Sequence, residues 1–212
     1  MDEEKGDGFS GLLEKATNFA LANLFWVLLC IPVVTIPAAT AGLFATMTPF
    51  ARGKPVEVFR DFFSGMRQYW RKATLVGAVD ALIGVLVAVN FTAFRQMDMS
   101  NPIAVLSQSI TLFVGLMAIM VNLYFWPMMV SFDLPARRLL ENSVRLVFGH
   151  PLWSLFMVFL AAVPVVVSIF FLPAAVFVFA TISTVAVLVS KAAWRVIGRY
   201  VSEEELNRTE AE

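Results

Sequence analysis

The sequence predicts an all-α, polytopic transmembrane helical bundle, and three observations lead there. Hydrophobic residues make up 59% of the chain and charged residues 15%, where soluble domains typically hold about 45–50% and about 25%. The 212 residues are too few to hide so much apolar surface in one aqueous core, and the mean hydropathy is +0.77. The apolar residues also gather in charge-poor runs, at 19–36, 38–51, 73–94, 103–130, 152–172 and 174–190. Stretches such as LIGVLVAV and LFMVFLAAVPVVV lack the period-2 alternation of a membrane β-barrel. Inside lipid every backbone amide needs an internal partner, so these runs are expected to be helices. A single integral membrane domain over 1–212 follows, with no separate soluble domain.

The first element poses a topological choice. Residues 19–50 carry no charge and are interrupted by Pro32 and Pro37. Their helical parts would measure about 40 Å at 1.5 Å per residue, too long for one perpendicular crossing of about 30 Å and too short for two full ones. Pro37 suits the first turn of a new helix, and Thr35 before it suits an N-cap. PVVTIP therefore reads as a turn between two helices. The second is rich in small residues between Ala38 and Ala45, which permit close approach in a membrane. A short hairpin, making six helices, is the preferred reading; a single crossing, making five, is the alternative. Upstream, 1–18 is an amphipathic N-terminal segment. Phe9, Leu12, Leu13, Ala16 and Phe19 fall at helical spacing, with Glu14 and Lys15 opposite. It is expected to lie on the inner surface and turn into the first helix.

The basic connector 52–72 comes next. Phe59, Phe62, Phe63, Met66 and Trp70 share one side of a helix, and Arg60, Ser64, Arg67 and Arg71 another, with Lys72 at its end. Aromatics on one side and arginines on the other fit a helix in the membrane interface. Each basic residue near anionic lipid gains about 1 kcal/mol. Arg60, Arg67, Arg71, Lys72, Phe62 and Phe63 are thus candidates for a lipid-facing anchor, or for docking a cytoplasmic partner such as a transporter ATPase. Runs 73–94 and 103–130 follow, joined by the loop RQMDMSNP at 95–102. A second basic connector spans 133–151. Pro173 then separates the last two runs. One kinked helix there would overshoot a bilayer nearly twofold, at about 39 residues, so an antiparallel hairpin is expected. The acidic tail 203–212 is expected to be solvated.

Offset by 78 residues, Arg60, Phe62, Met66, Arg67 and Trp70 face Arg138, Leu140, Val144, Arg145 and Phe148. Each block reads as a basic amphipathic helix followed by an apolar hairpin. This pattern would make parallel hairpin repeats.

Lys and Arg set the orientation. Connector 52–72 holds Arg52, Lys54, Arg60, Arg67, Arg71 and Lys72. Connector 133–151 holds Arg137, Arg138 and Arg145, and the C-terminal segment Lys191, Arg195, Arg199 and Arg208. The loops of opposite parity hold only Arg95. Both connectors and both termini are expected to be cytoplasmic, in a plasma (inner) membrane whose anionic inner leaflet is the chain's first partner. The acidic start MDEEKGDG lacks the basic n-region of a cleaved signal peptide.

Polar residues at membrane depth are the main functional candidates. Asp80 is the only acid well inside an apolar run. Asn122, Asn23 and Thr184 reach comparable depths, so the four are expected to form one polar layer, with Lys191 as a candidate counter-ion. A charge there costs at least a few kcal/mol unless paired, roughly, and marks a proton or solute site by default. The structural alternative is an Asp80 that ties helices together at about 0.6–2 kcal/mol per bond. Tyr124, Phe125 and Trp126 next to Pro127 read as a sugar-stacking cluster or, more simply, as packing. His150 before Pro151 reads as a cap-region residue.

Several chemistries have no sequence support. Cys30 is the single cysteine, which excludes an intrachain disulfide and a multi-cysteine metal site. The motifs GxxxxGK[ST], HExxH and GxSxG are missing. Enzymatic activity, a metal and a cofactor are not expected, and a formal net charge of zero gives no reason for a nucleic-acid partner.

The stretch NLFWVLLCIPVVTIPAATAGL followed by FRDFFSGMRQYWRKA resembles the YesL-like family of bacterial membrane proteins, a domain of unknown function. The family opening, N-L-x-W-x(5)-P-[IV]-V-T-I-G-P-A-T-A-A-L, is matched at Asn23, Leu24, Trp26, Pro32, Val34, Thr35, Ile36, Ala39, Thr40, Ala41 and Leu43. Its D-F-F-x-G-[FM]-[KR] is matched at Asp61, Phe62, Phe63, Gly65, Met66 and Arg67. Where the family has Gly-Pro, this chain has Pro37-Ala38, one residue earlier. The resemblance implies a bacterial inner-membrane protein often encoded beside carbohydrate uptake or polysaccharide-degradation systems, and it supplies no catalytic residues. The expected function is an accessory or assembly component of carbohydrate uptake, with a transporter subunit as partner. The alternative is a small-solute or proton-coupled carrier working through the Asp80 layer as a homo-oligomer.

Overall fold

Small residues decide the centre of this bundle. A computed structural model describes residues 3–94, 102–171, 173 and 177–201. Among the described residues seven α-helices run α1 Glu3–Leu29, α2 Ile36–Ala51, α3 Val58–Phe94, α4 Pro102–Ser131, α5 Ala136–Gly149, α6 Pro151–Phe171 and α7 Ile182–Ile197. A 3₁₀ turn, Val33–Thr35, precedes α2, and a π-helical turn, Phe177–Thr181, precedes α7. Among the described residues there is no strand, and the all-α bundle is as predicted. Arg95, most of the loop 95–102 and the tail 203–212 lie outside the described residues.

α2 packs against α1, α3, α4 and α7. Its Ala39, Ala41, Leu43, Thr46 and Met47 are fully or almost fully buried. Glycines set the approach of α3, Gly42 and Gly65 among them. A Cβ on Gly42 would lie 2.7 Å from the Phe62 carbonyl oxygen, and one on Gly65 would lie 2.2 Å from Ala45 Cβ. The backbones therefore meet where only hydrogen fits. The rest of the core includes Tyr124, Phe125 and Met129 of α4, Leu139 of α5, Met157 of α6 and Val189 of α7.

Among the described residues five segments are long and apolar enough to cross a membrane: Val33–Ala51, α3, α4, α6 and Phe179–Ile197. α1 packs on α2 beside them as a sixth helix of the bundle. The opening stretch is nevertheless a helical hairpin, as expected, since Trp26 meets Thr40 and Phe19 meets Phe50. The hairpin at Pro173 also forms. Trp153 Nε1 donates to the Ala192 carbonyl at 3.1 Å near one end, and Ser168 and Thr181 hydroxyls lie 2.6 Å apart near the other.

Four expectations are corrected. The N-terminal segment does not turn into the first helix; it is continuous with it through Leu29, because no glycine or proline separates Glu14 from Trp26. The side chains of Phe9, Leu12 and Leu13 fall outside the described ones, and Ala16 is exposed. The connector 52–72 is likewise not a separate element. From Val58 it is the first part of the 37-residue α3, whose length of about 55 Å exceeds a bilayer core of about 30 Å. Nothing in RQYWRKATLV breaks a helix. Thr35 stands at the N-cap position of α2, as expected, but its side chain makes no cap bond. Its hydroxyl instead donates to the carbonyls of Leu29 and Pro32, satisfying the open end of α1. Finally, the two proposed repeat units differ in build. α3 runs straight into its span, whereas Gly149, His150 and Pro151 stop α5 and start α6.

Candidate functional site

The four residues of the predicted polar layer divide into two hydrogen-bonded groups. Asp80 on α3 and Asn122 on α4 do meet, with Asn122 Nδ2 donating to Asp80 Oδ1 at 2.9 Å and to the Ala118 carbonyl at 3.0 Å. The other amide atom, Asn122 Oδ1, is buried without a partner. Asn23 faces α7 instead. Its Oδ1 accepts the backbone N–H of Ser183 at 2.8 Å, just past the π-helical turn, while Ser183 Oγ donates to the Phe19 carbonyl at 3.1 Å. Thr184 bonds back to Ala180 of its own strand of helix at 2.8 Å. Among the described residues no hydrogen bond links Asp80 or Asn122 to Asn23 or Thr184. Lys191 is exposed and is not the counter-ion of Asp80. A shared depth along the helices does not bring the four together, because the helices differ in which face they turn inward.

A second rung of the α3–α4 pair escaped the sequence reading. Asn90 Nδ2 donates to Ser107 Oγ at 3.0 Å and also to Thr111 Oγ1. The available signal was an asparagine late in one apolar run facing hydroxyls early in the next. The two rungs sit ten residues apart on α3, about 15 Å. They fix the antiparallel register of two helices whose other faces are largely exposed aliphatic side chains. Two of the cavities among the described residues bear on these sites. One, of about 480 Å³, opens between α3 and α4, with Asn90 and Thr111 on its wall. The other, of about 530 Å³, lies at the basic end, among α4, α5 and α7. Asp80 lines neither.

The connector residues divide by face. Phe62 is a correction to its lipid-facing assignment: it is fully buried, under Gly42 of α2. Phe25 of α1 packs against Phe59, Phe62 and Phe63, with centroids 6.0, 5.8 and 5.5 Å away. Phe63, Arg60, Arg67 and Arg71 remain exposed. Lys72 is half-buried and lies 3.3 Å from Asp133 Oδ1 at the end of α4. The start of α3 is capped by its own acid, since the Glu57 N–H donates to Asp61 Oδ2 at 2.9 Å.

The motif of the opening stretch closes the α1–α2 hairpin. Trp26 Nε1 donates to Thr40 Oγ1 at 3.1 Å, and Thr40 donates in turn to the Ile36 carbonyl at 2.8 Å. Pro32 sits in the turn, where its carbonyl accepts from Thr35 at 2.6 Å. The displaced proline is accommodated too. Pro37 stands in the first turn of α2 against Gly77, where a Cβ would come within 2.3 Å of the ring. The Tyr124–Trp126 cluster is internal packing: Tyr124 and Phe125 are fully buried, Tyr124 OH lies 3.1 Å from Ser154 Oγ, and Trp126 stacks on Phe44 at 6.1 Å.

Helix length, hydropathy and polar rungs between helices define a polytopic α-helical membrane protein. Residues 19–91, which hold the hairpin motif, α2 and nearly all of α3, match the family model described as "Protein of unknown function, DUF624". The chain is 30% identical over 159 residues to the uncharacterized protein YteU of Bacillus subtilis (strain 168), covering 73% of this chain and 68% of that one. It is 24% identical over 161 residues to the uncharacterized protein YesL of the same organism, covering 74% and 75%. This chain belongs to the DUF624 family. No solved structure matches it.

Proposed function

We propose that this protein is a non-enzymatic accessory or assembly component of a bacterial inner-membrane carbohydrate uptake system. It engages a transporter subunit through the first half of α3. The observation that carries the reading is the division of that helix. Phe62 and Gly65 are locked onto α2, so Arg60, Arg67 and Arg71 stand exposed on a rigid support beside Phe63 and a half-exposed Trp70. Exposed arginines beside aromatics are a common composition for an interface centre. The carbohydrate link comes from the family resemblance, whose members are often encoded beside such systems. The bias of Lys and Arg supports placing this end, and both termini, in the cytoplasm.

The carrier reading has less behind it, because Asp80 is tied to Asn122 and borders neither cavity. Crosslinking in membranes followed by purification in mild detergent tests the proposal. A transporter subunit should be captured by the natural chain and lost from the Arg67→Glu, Arg71→Glu variant. A chain that purifies alone after crosslinking would end it.

A further inference from the structure

The cleft at the basic end is lined by two unlike sets of residues. Phe132, Leu146 and Ile197 are apolar, and Asp133, Asn142 and Arg145 are polar or charged. The charges that line it are not equivalent. Asp133 is engaged by Lys72 at 3.3 Å, and just outside the cleft Arg137 is engaged by Glu141 at 2.9 Å. Arg145 has no carboxylate in ion-pair range among the described residues. Asn142, three residues earlier, lies one turn away on the same face of α5. Tyr200 adds a hydroxyl to the cleft, held 3.0 Å from His150 Nε2.

A guanidinium sharing a cleft with an amide and a phenol suits a phosphate, and the apolar residues lining the same cleft call for a hydrocarbon chain on the same molecule. We propose that this cleft holds one anionic phospholipid, its phosphate on Arg145 and an acyl chain along Phe132, Leu146 and Ile197. Basic pockets between membrane helices bind such headgroups, and the volume of about 530 Å³ falls in the range of ligand sites, about 300–1,000 Å³. α5 places the cleft at headgroup depth: Leu140 and Phe148 are exposed on the same short helix as exposed Arg138 and Arg145, the mixture of an interfacial helix. An acidic protein segment would use the polar residues and leave the apolar ones uncovered, so the lipid is the better occupant.

Native mass spectrometry of the full chain from mild detergent, supplied with phosphatidylglycerol or phosphatidylethanolamine, tests this. One phosphatidylglycerol should stay bound, and inorganic phosphate should not displace it. Arg145→Gln should lower retention about fivefold or more, Asn142→Leu should lower it less, and Arg137→Gln should leave it unchanged. Equal retention by Arg145→Gln, equal retention of phosphatidylethanolamine, or displacement by inorganic phosphate or an acidic peptide would each overturn the proposal. The α3 stripe is a different surface, so failure to capture a transporter subunit leaves this lipid readout intact, and the reverse.

Discussion

Asp80 of α3 and Asn122 of α4 share a hydrogen bond of 2.9 Å in a chain where Asp80 is the only acid well inside an apolar run. The bond joins two antiparallel helices that a second rung at Asn90 joins again. A carboxylate so placed acts as a helix tie. Asp80→Asn keeps a hydrogen-bonding side chain there and should leave expression and growth on candidate glycans near normal. Asp80→Leu should cost about 0.6–2 kcal/mol, read as a lower unfolding temperature in detergent. Loss of growth in Asp80→Asn at normal expression would favour the carrier.

Asn23 carries a heavier structural load than its family-motif status conveys. It is fully buried and accepts from the Ser183 backbone. Asn23→Leu leaves that N–H unpaired, a cost of about 1–3 kcal/mol. Trp26→Phe removes a half-buried bond to Thr40 and should cost about 0.5–1.5 kcal/mol. Thermal unfolding in one detergent ranks the two, and the reverse order would contradict the structure.

The glycine seam between α2 and α3 should resist any larger residue. Gly65→Val places atoms where Ala45 Cβ stands 2.2 Å from a Cβ position. Overpacking of this kind costs about 1–3 kcal/mol. Gly84 has nothing within 4 Å, so Gly84→Ala should be neutral or slightly stabilising. Unfolding temperatures of the two variants check the contrast.

Arg67 and Arg71 should be dispensable for folding. Both are exposed, and surface substitutions usually stay within about 0.5 kcal/mol. The Arg67→Glu, Arg71→Glu variant should therefore keep the natural unfolding temperature while losing partner capture. A fall in both would assign the arginines to stability rather than docking.

Orientation is tested by a periplasm-active reporter fused after residue 8, for which no signal is expected. A strong signal would place the N-terminus outside and favour an odd number of crossings.

Much of this molecule was legible in one dimension. Apolar run lengths located the spans, Pro32 and Pro37 located the α1–α2 turn, and Pro173 located the α6–α7 hairpin. Each of these is a local property of backbone geometry or of transfer into lipid, so composition and spacing suffice. The Asp80–Asn122 pair was also foreseeable, since two lone polar residues at matching depth on consecutive antiparallel helices have few other partners.

What the tertiary structure alone decided is which faces meet. Phe62 and Phe63 are adjacent in an aromatic-rich helix, yet Phe62 is buried under Gly42 while Phe63 stays exposed. Asn23 and Asp80 were placed at one depth, yet they bond to different neighbours. Hydropathy and periodicity measure how far along a helix a residue lies and which side is greasy. In lipid every side of a helix is greasy, so contact between helices is chosen by glycine clearances and a few hydrogen bonds, and those exist only once the helices are packed.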